Sequence, residues 1–192
     1  PSYRKKGHDT MNIVGEKVYL RAMERSDMEL YRRNVNDPKI EYAVGGWSFP
    51  ISSYQQEKWY ESTVVDKNNL RLTIVRKDTD DVIGMINLVN IDWKSGVAFS
   101  GIRLFGDEYH GKGYAKDAVM ALMSYAFDEL RLHRIEGSII ESNESSQKLY
   151  EKCGWKVEGV KREAIFKNGR YYDEVQVAIL KSDYDKLKEK KQ

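Results

Sequence analysis

The sequence predicts an α+β domain built on a mixed, mostly antiparallel sheet of about seven strands, splayed in the middle and covered by helices on both faces. Three features indicate this fold. Apolar segments between Leu70 and Phe105 are joined by short polar turns, as in an antiparallel meander. A helical pattern from Lys112 to Leu130 then separates two strand-like segments, which favours a right-handed crossover with parallel pairing. Near the C-terminus, Asn168-Gly169 is the preferred pair for a two-residue hairpin.

Length and composition set the broad class. A chain of 192 residues suits one domain, which we place at residues 11–182. The formal net charge of +2 indicates neither a nucleic-acid nor a membrane partner. A single cysteine, no apolar run of about 20 residues and no signal peptide predict a cytoplasmic protein. Three histidines without metal-ligand spacing predict no metal site.

The two ends of the chain are polar. Residues 1–10 are basic and precede Met11, which resembles a natural start, so we expect a disordered tail or a cloning remnant there. Residues 183–192 are predicted to be a charged C-terminal tail.

The first predicted elements are a strand and two helices. Lys17 to Ala22 alternates apolar and polar residues, as a half-buried strand does. A serine or aspartate at residues 26–27 caps a short helix that ends before the turn signal at residues 36–38. A capping box at residues 52–56 begins a second helix, which reaches about Val65.

The segment between these helices is rich in glycine and aromatic residues. Two glycines at residues 45–46 precede Trp47, Phe49 and Pro50. Such a segment either plugs the end of the core or lines a pocket. Trp47 and Phe49 are therefore candidate substrate-pocket residues.

The remaining strands are apolar runs bounded by turn residues. We expect the strand that ends at Phe105 to diverge from the strand that follows the crossover helix, so that a cofactor can enter between them. The predicted strands span Leu70–Val75, Val82–Ile91, Val97–Phe105, Ile135–Ile140, Trp155–Ile165 and Tyr171–Leu180.

A glycine-rich loop connects the third of these strands to the crossover helix. Gly106, Gly111 and Gly113 permit close backbone approach to a ligand, and the first turn of the helix offers unpaired N–H groups to a phosphate, beside the charge of Lys112. The loop is neither G-x-G-x-x-G nor G-x-x-x-x-G-K-[ST], so it does not match a Rossmann or mononucleotide site. An ordinary glycine-rich turn is the alternative interpretation.

A second segment carries a helix with clear start and stop signals. Ser142 or Asn143 caps it, and Gly154 closes it before Trp155 begins the next strand.

These two segments resemble the two motifs of the GCN5-related N-acetyltransferases. The loop follows the pattern Gln/Arg-x-x-Gly-x-Gly/Ala, with Gly113 and Ala115 in place and His110 where the family usually has Gln or Arg. The second segment reads N-x-x-S-x-x-L-Y-E-K-x-G-W from Asn143 to Trp155. Residues 18–21 and 168–173 resemble the corresponding segments of one branch of the family, which contains ribosomal-protein N-terminal acetyltransferases and spermidine acetyltransferases.

The resemblance implies acetyl-CoA as cofactor, CoA as product, and a set of contacts along a bulged strand. The peptide groups of Arg103, Leu104 and Phe105 would hold the thioester and pantetheine, and one N–H would face the oxyanion. The loop and the second segment would contribute the other cofactor contacts. These are His110, Gly111, Lys112, Gly113, Tyr114, Ala115, Lys116, Asn143, Ser146, Lys148, Tyr150 and Lys152.

Tyr150 is the candidate general acid. A thiol titrates near pH 8.5 and a phenol near 10, so at neutral pH the tyrosine can still protonate a departing thiolate. Asn143 lies seven residues earlier, which would place both on one helix face. The alternative for Tyr150 is an aromatic side chain that only packs in the core. Nearby Cys153 is interpreted as a small buried apolar residue and not as a nucleophile.

The general base is not evident from the sequence. Glu41, Glu57 and Asp92 are acidic candidates, although each is more simply a surface charge, and a chain of water molecules could serve instead.

The predicted function is transfer of an acetyl group from acetyl-CoA to a primary amine of a small molecule or a protein N-terminus. Asn87 and Ser100, candidate pocket residues, stand in a region where the polyamine subgroup has acids, which disfavours a polyamine acceptor. Polyamine acetylation and a non-catalytic acyl-CoA sensor on the same fold are the alternatives. A homodimer or higher homo-oligomer is also considered.

Overall fold

The computed structural model describes residues 13–43 and 49–190, so Trp47 lies outside the described residues. Seven strands form one sheet in the order β1-β2-β3-β4-β5-β7-β6, which confirms the predicted mixed sheet. The strands are β1 (Val18–Ala22), β2 (Leu70–Arg76), β3 (Val82–Asp92), β4 (Val97–Leu104), β5 (Arg134–Ile140), β6 (Lys156–Lys167) and β7 (Arg170–Leu180). The helices are α1 (Met28–Val35), α2 (Pro38–Ala43), α3 (Ser53–Thr63), α4 (Tyr114–Ser124), α5 (Glu144–Lys152) and α6 (Lys181–Glu189).

The two faces of the sheet are covered by different helices. Leu104 of β4 is buried in one core together with Ala118 and Leu122 of α4. Phe105, the next residue after β4, meets the ring of Tyr31 of α1 edge-on, with 5.1 Å between the ring centroids. Successive side chains of a strand point to opposite faces, so α4 and α1 lie on opposite sides of the sheet.

The sheet opens between β4 and β5. These strands pair in parallel only from Val97–Phe99 against Arg134–Glu136, and β4 continues to Leu104 without a partner on that side. The other described pairings are antiparallel. The predicted splay is therefore confirmed, and it leaves one edge of β4 facing a slot.

The crossover helix differs at its end from the predicted one. After Ser124 the chain forms a π-helical turn over Tyr125–Glu129, in which the Leu130 N–H donates to the Tyr125 carbonyl (3.0 Å). The apolar pattern continues through this turn, and Ala126 and Phe127 are buried in it.

The predicted charged tail is wrong for residues 183–189, because this segment belongs to helix α6. Tyr184 is buried and stacks on Phe127, with 5.2 Å between the ring centroids, and its hydroxyl donates to Asp128 (3.0 Å). Tyr184 and Leu187, three residues apart, form an apolar stripe that packs against the core and outweighs the charged residues between them.

Asp117, in the first turn of α4, anchors the N-terminal strand. Its carboxylate accepts three backbone N–H groups, from Glu16 (2.8 Å), Lys17 (2.7 Å) and Val18 (2.9 Å). The contact joins residues about a hundred positions apart, and no sequence pattern indicates it.

We expect Asp117→Asn to lower stability by about 1–3 kcal/mol, since an amide oxygen is a weaker acceptor and leaves backbone donors unpaired. The melting temperature should fall by several degrees in calorimetry, at about 2–4 °C per kcal/mol for a chain of this size. Glu61→Gln is the matched control, because it removes one exposed pair with Lys58 and should leave the melting temperature nearly unchanged. Equal losses in the two variants would contradict an anchoring role.

Candidate functional site

The glycine-rich loop ends in a helix N-terminus with free donors. Gly113 is the N-cap of α4, with φ of 86°, and no side chain caps the helix. The Asp117 N–H donates to the Gly113 carbonyl (3.0 Å), so the helical bonds start there and the N–H groups of Tyr114, Ala115 and Lys116 precede them. This geometry favours an anion at the helix N-terminus.

Lys17 adds a positive charge that the sequence analysis missed. Its Nζ donates to the Lys112 carbonyl (2.8 Å) and would lie 3.2 Å from a Cβ placed on Gly113. The lysine precedes β1 and reaches the loop because Asp117 holds its backbone N–H. Together with Lys112 and Lys116, it makes the loop region electropositive.

His110 differs from its neighbours in the loop. It closes the 3₁₀ turn Asp107–Tyr109, and its N–H donates to the Asp107 carbonyl (3.1 Å). Its backbone donor is therefore occupied, while its side chain is exposed.

The direction of each backbone N–H group shows which residues of β4 can donate a hydrogen bond into the slot. The Phe105 N–H donates to the Ile83 carbonyl (2.8 Å), so this peptide group points to β3. Because peptide groups alternate along a strand, the Leu104 N–H points the other way, into the slot. The prediction that the Phe105 peptide group holds the cofactor is wrong for its N–H, whereas the Leu104 N–H, like that of Ile102, lies on the slot side of β4.

The strand bulge implied by the resemblance lies elsewhere. The β3–β4 register is continuous from Gly84 opposite Leu104 to Val89 opposite Phe99, and it shifts only beyond Val89. The slot thus opens because β4 and β5 diverge, while the β3–β4 pairing stays regular.

The slot contains a cavity of about 460 Å³ that brings several predicted residues together. Arg103, Asn143, Ser146 and Tyr150 line it, as do the pocket candidates Asn87 and Ser100. Asn87 Oδ1 also accepts the Gly101 N–H (3.0 Å). Phe49, by contrast, is 67% exposed and does not line this cavity.

Tyr150 is buried at one wall of the slot, on the last turns of α5. Its ring packs on Trp155 with 4.7 Å between the centroids. Burial, with a smaller effect of nearby Cys153, raises the pKa of the Tyr150 phenol above its usual value. The hydroxyl therefore keeps its proton at neutral pH, as a general acid for a thiolate requires.

Asn143 and the two lysines of the second motif have distinct positions. Asn143 is the N-cap of α5, and its Oδ1 accepts the Ser146 N–H (3.1 Å) and the Ser145 hydroxyl (2.9 Å). Lys148 is exposed and pairs with Glu144 (3.3 Å), and Lys152 is also exposed. Asn143 thus orients the helix that carries Tyr150, while the lysines lie at its solvent side.

The acidic base candidates do not line the slot in the described part of the chain. Glu57 pairs with Arg25 (3.0 Å). Hydrogen bonds from the Ser95 hydroxyl and from the N–H groups of Ser95 and Lys94 lower the pKa of the Asp92 carboxyl in the β3–β4 turn. The side chain of Glu41 lies outside the described residues. Glu174 does line the slot, and Lys161 pairs with it at 3.3 Å.

Two features of the described residues concern membranes and metals. No helix there is long and apolar enough to cross a bilayer. The same residues contain no group of three His, Cys, Asp or Glu side chains suited to a metal ion.

Comparison with known proteins places the chain among acetyltransferases. A family model described as an acetyltransferase (GNAT) domain matches residues 17–156. The spermidine N(1)-acetyltransferase of Vibrio cholerae is 31% identical over 173 residues, covering 89% of this chain and 97% of that protein. A putative ribosomal N-acetyltransferase of Bacillus subtilis, YdaF, is 27% identical over 180 residues, covering 90% and 96%. A crystal structure of the Vibrio cholerae spermidine N-acetyltransferase with CoA and spermine aligns with a TM-score of 0.82 at 29% identity, covering 88% and 98%.

Proposed function

Since the chain belongs to the GNAT acetyltransferase family, we propose that it is an enzyme that transfers the acetyl group of acetyl-CoA directly to a primary amine. The acceptor is a small molecule or a peptide N-terminus. The observation that carries the proposal is the slot between β4 and β5, where Leu104 offers a backbone donor and Tyr150 a protonated hydroxyl.

The described residues fit acetyl-CoA at both ends of the slot. The unpaired N–H groups at the start of α4, with Lys17 and Lys112 beside them, suit the phosphates. The unpartnered edge of β4 suits the amide groups of a pantetheine arm, which would pair with it as a further strand does. Bound acetyl-CoA supplies the acetyl group as an activated thioester.

The chain itself supplies binding, polarisation and a proton. The Leu104 N–H points into the slot, where it stabilises negative charge on the acetyl oxygen. Tyr150 protonates the sulfur as the C–S bond breaks. The amine loses its proton to water, since no unpaired carboxylate lines the slot among the described residues.

Polyamine acetylation is the second candidate, supported by the spermidine enzymes among the relatives. Asn87 and Ser100 of the slot are neutral, and Glu174 is its one carboxylate among the described residues. A polycation needs several carboxylates to replace its hydration, so we rank this acceptor class below amines of lower charge.

Release of CoA thiol in the presence of an amine panel tests the function. We expect turnover with at least one primary amine, and acetylated product in stoichiometric amount. A protein that bound acetyl-CoA but released no thiol with any amine would be a sensor on the same fold, contrary to this proposal.

The cellular setting is part of the same proposal. A cytoplasmic location is supported by the single cysteine, Cys153, which is fully buried. The proposed catalytic domain, residues 11–182, contains the matched region 17–156 and is extended to Glu189 by helix α6, which packs on the core. A homodimer or higher homo-oligomer is supported by the exposed rings of Phe166 and Tyr171 at the β6–β7 hairpin.

A further inference from the structure

A second cavity adjoins the slot on the face of the sheet that carries α1 and α3. Its volume is about 400 Å³, and its walls are mainly apolar. Three aromatic rings contribute to it: Tyr31 lies 5.1 Å from Phe105 and 6.3 Å from Trp59, between ring centroids. A flat apolar or aromatic group fits such a wall.

Arg103 lines both cavities. Its neighbour across the β3–β4 pair is Met85, which cannot neutralise it. Burial alone lowers the pKa of Arg103, and no acid in the described part of the chain is paired with its guanidinium. A half-buried guanidinium without a partner is unfavourable, and its planar set of N–H donors matches a carboxylate.

A further polar atom in this cavity has no partner among the described residues. Asn34 is 9% exposed, and its buried Oδ1 accepts no hydrogen bond from residues 13–43 or 49–190. A carbonyl oxygen in this position needs an N–H or O–H donor. The cavity therefore combines an aromatic wall, one cation and one unsatisfied acceptor.

We propose that the acceptor is an amino acid with an aromatic side chain, bound through its carboxylate to Arg103 and through its ring to the cavity of Tyr31, Trp59 and Phe105. This inference rests on the proposed acetyl transfer. In an α-amino acid the amine and the carboxylate are bonded to the same carbon atom, so the amine lies close to the guanidinium that binds the carboxylate. Because Arg103 borders both cavities, the amine then faces the slot while the side chain lies in the aromatic cavity, where a polar hydrogen can reach Asn34.

The charge of Arg103 also argues against a polycation in the same place. Like charges in a partly desolvated pocket repel strongly, and the slot's Glu174 is already paired with Lys161. The inference therefore assigns this chain an acceptor of a different charge class from spermidine, on the basis of Arg103.

The test compares L-tyrosine with tyramine, which lacks only the carboxylate, and with spermidine, at saturating acetyl-CoA. We expect kcat/KM for L-tyrosine to exceed that for tyramine by roughly 10- to 100-fold, as for a charge-assisted hydrogen-bonded pair. Arg103→Met should remove this preference, so that the ratio of kcat/KM for L-tyrosine to kcat/KM for tyramine falls to about 1, whatever the variant's overall activity. Arg103→Lys should restore part of it.

Controls separate the possible failures. Lys94→Met removes an exposed cation of the β3–β4 turn and should preserve the preference. Acetyl-CoA affinity and melting temperature of Arg103→Met show whether the variant folds and binds cofactor. Equal use of L-tyrosine and tyramine, or better use of spermidine, would overturn the inference and leave acetyl transfer intact, whereas no thiol release with any amine would count against the proposed function itself.

Discussion

Tyr150→Phe is expected to lower kcat by about 10²- to 10⁴-fold, the usual contribution of a positioned general acid. Acetyl-CoA affinity should change much less, because the hydroxyl is needed mainly when the sulfur becomes negative. The change keeps the ring that packs on Trp155, so the fold should survive. Pre-steady-state thiol release with a fixed amine measures the chemical step.

Tyr184→Phe is the matched control for Tyr150→Phe. Tyr184 is also buried with a hydroxyl, which donates to Asp128 (3.0 Å), but it does not line the slot. We expect a small loss of stability and unchanged turnover. Should Tyr150→Phe turn over like the parent, Tyr150 would be a packing residue, and the thiolate would take its proton from water.

The pH dependence of the parent enzyme follows from the raised pKa of Tyr150. An acid is active in its protonated form, and this form is lost only as the pH rises through the pKa of the group. Because burial raises that pKa above the usual value near 10, Tyr150 should cause no alkaline loss of rate below about pH 10.

Gly113→Ala is expected to weaken acetyl-CoA binding by roughly 10- to 100-fold. Gly113 has a φ of 86°, which an L-residue adopts at a cost of about 1–2 kcal/mol. The alanine would rotate the backbone at the start of α4 and turn the N–H groups away from the phosphates. Each charge-assisted hydrogen bond lost is worth about 1.5–3 kcal/mol, and titration calorimetry measures the sum.

Gly169→Ala is the control that distinguishes loss of the phosphate site at Gly113 from the effect of backbone strain alone. Gly169, in the β6–β7 turn, also has a positive φ (77°), and an added Cβ there meets nothing within 4 Å. Both variants should lose a similar amount of stability, whereas only Gly113→Ala should lose cofactor affinity. Unchanged affinity in a folded Gly113→Ala protein would remove the phosphate site from the loop.

Sequence patterns predicted the features that depend on neighbouring residues. The capping role of Asn143, the glycines around the helix start and the strands of the meander are encoded within a few positions, so local propensity reveals them. The place of Tyr150 in the slot was predicted from the resemblance of its segment to the second acetyltransferase motif and not from local propensity.

The features that the sequence did not reveal depend on tertiary structure. Lys17 reaches the loop from about a hundred residues away, and the orientation of the Phe105 N–H depends on strand pairing. The charged residues at positions 183–189 predicted a tail and gave no sign of helix α6, because the helix packs through one buried residue, Tyr184. That no acid of the described residues pairs with Arg103 is likewise a property of the folded pocket.

The short parallel seam between β4 and β5 also bears on cooperativity. Strands β1–β4 and strands β5–β7 are each joined by long antiparallel ladders, whereas the seam holds three residue pairs. A ligand that hydrogen-bonds along the slot would bridge two folding units at their weakest junction. Cofactor at about 100 times its dissociation constant adds about 2.7 kcal/mol to the stability of any protein that binds it only when folded. In this chain the bound cofactor would stabilise the β4–β5 junction, where the sheet is least continuous. Cofactor binding would therefore stabilise the slot that binds it.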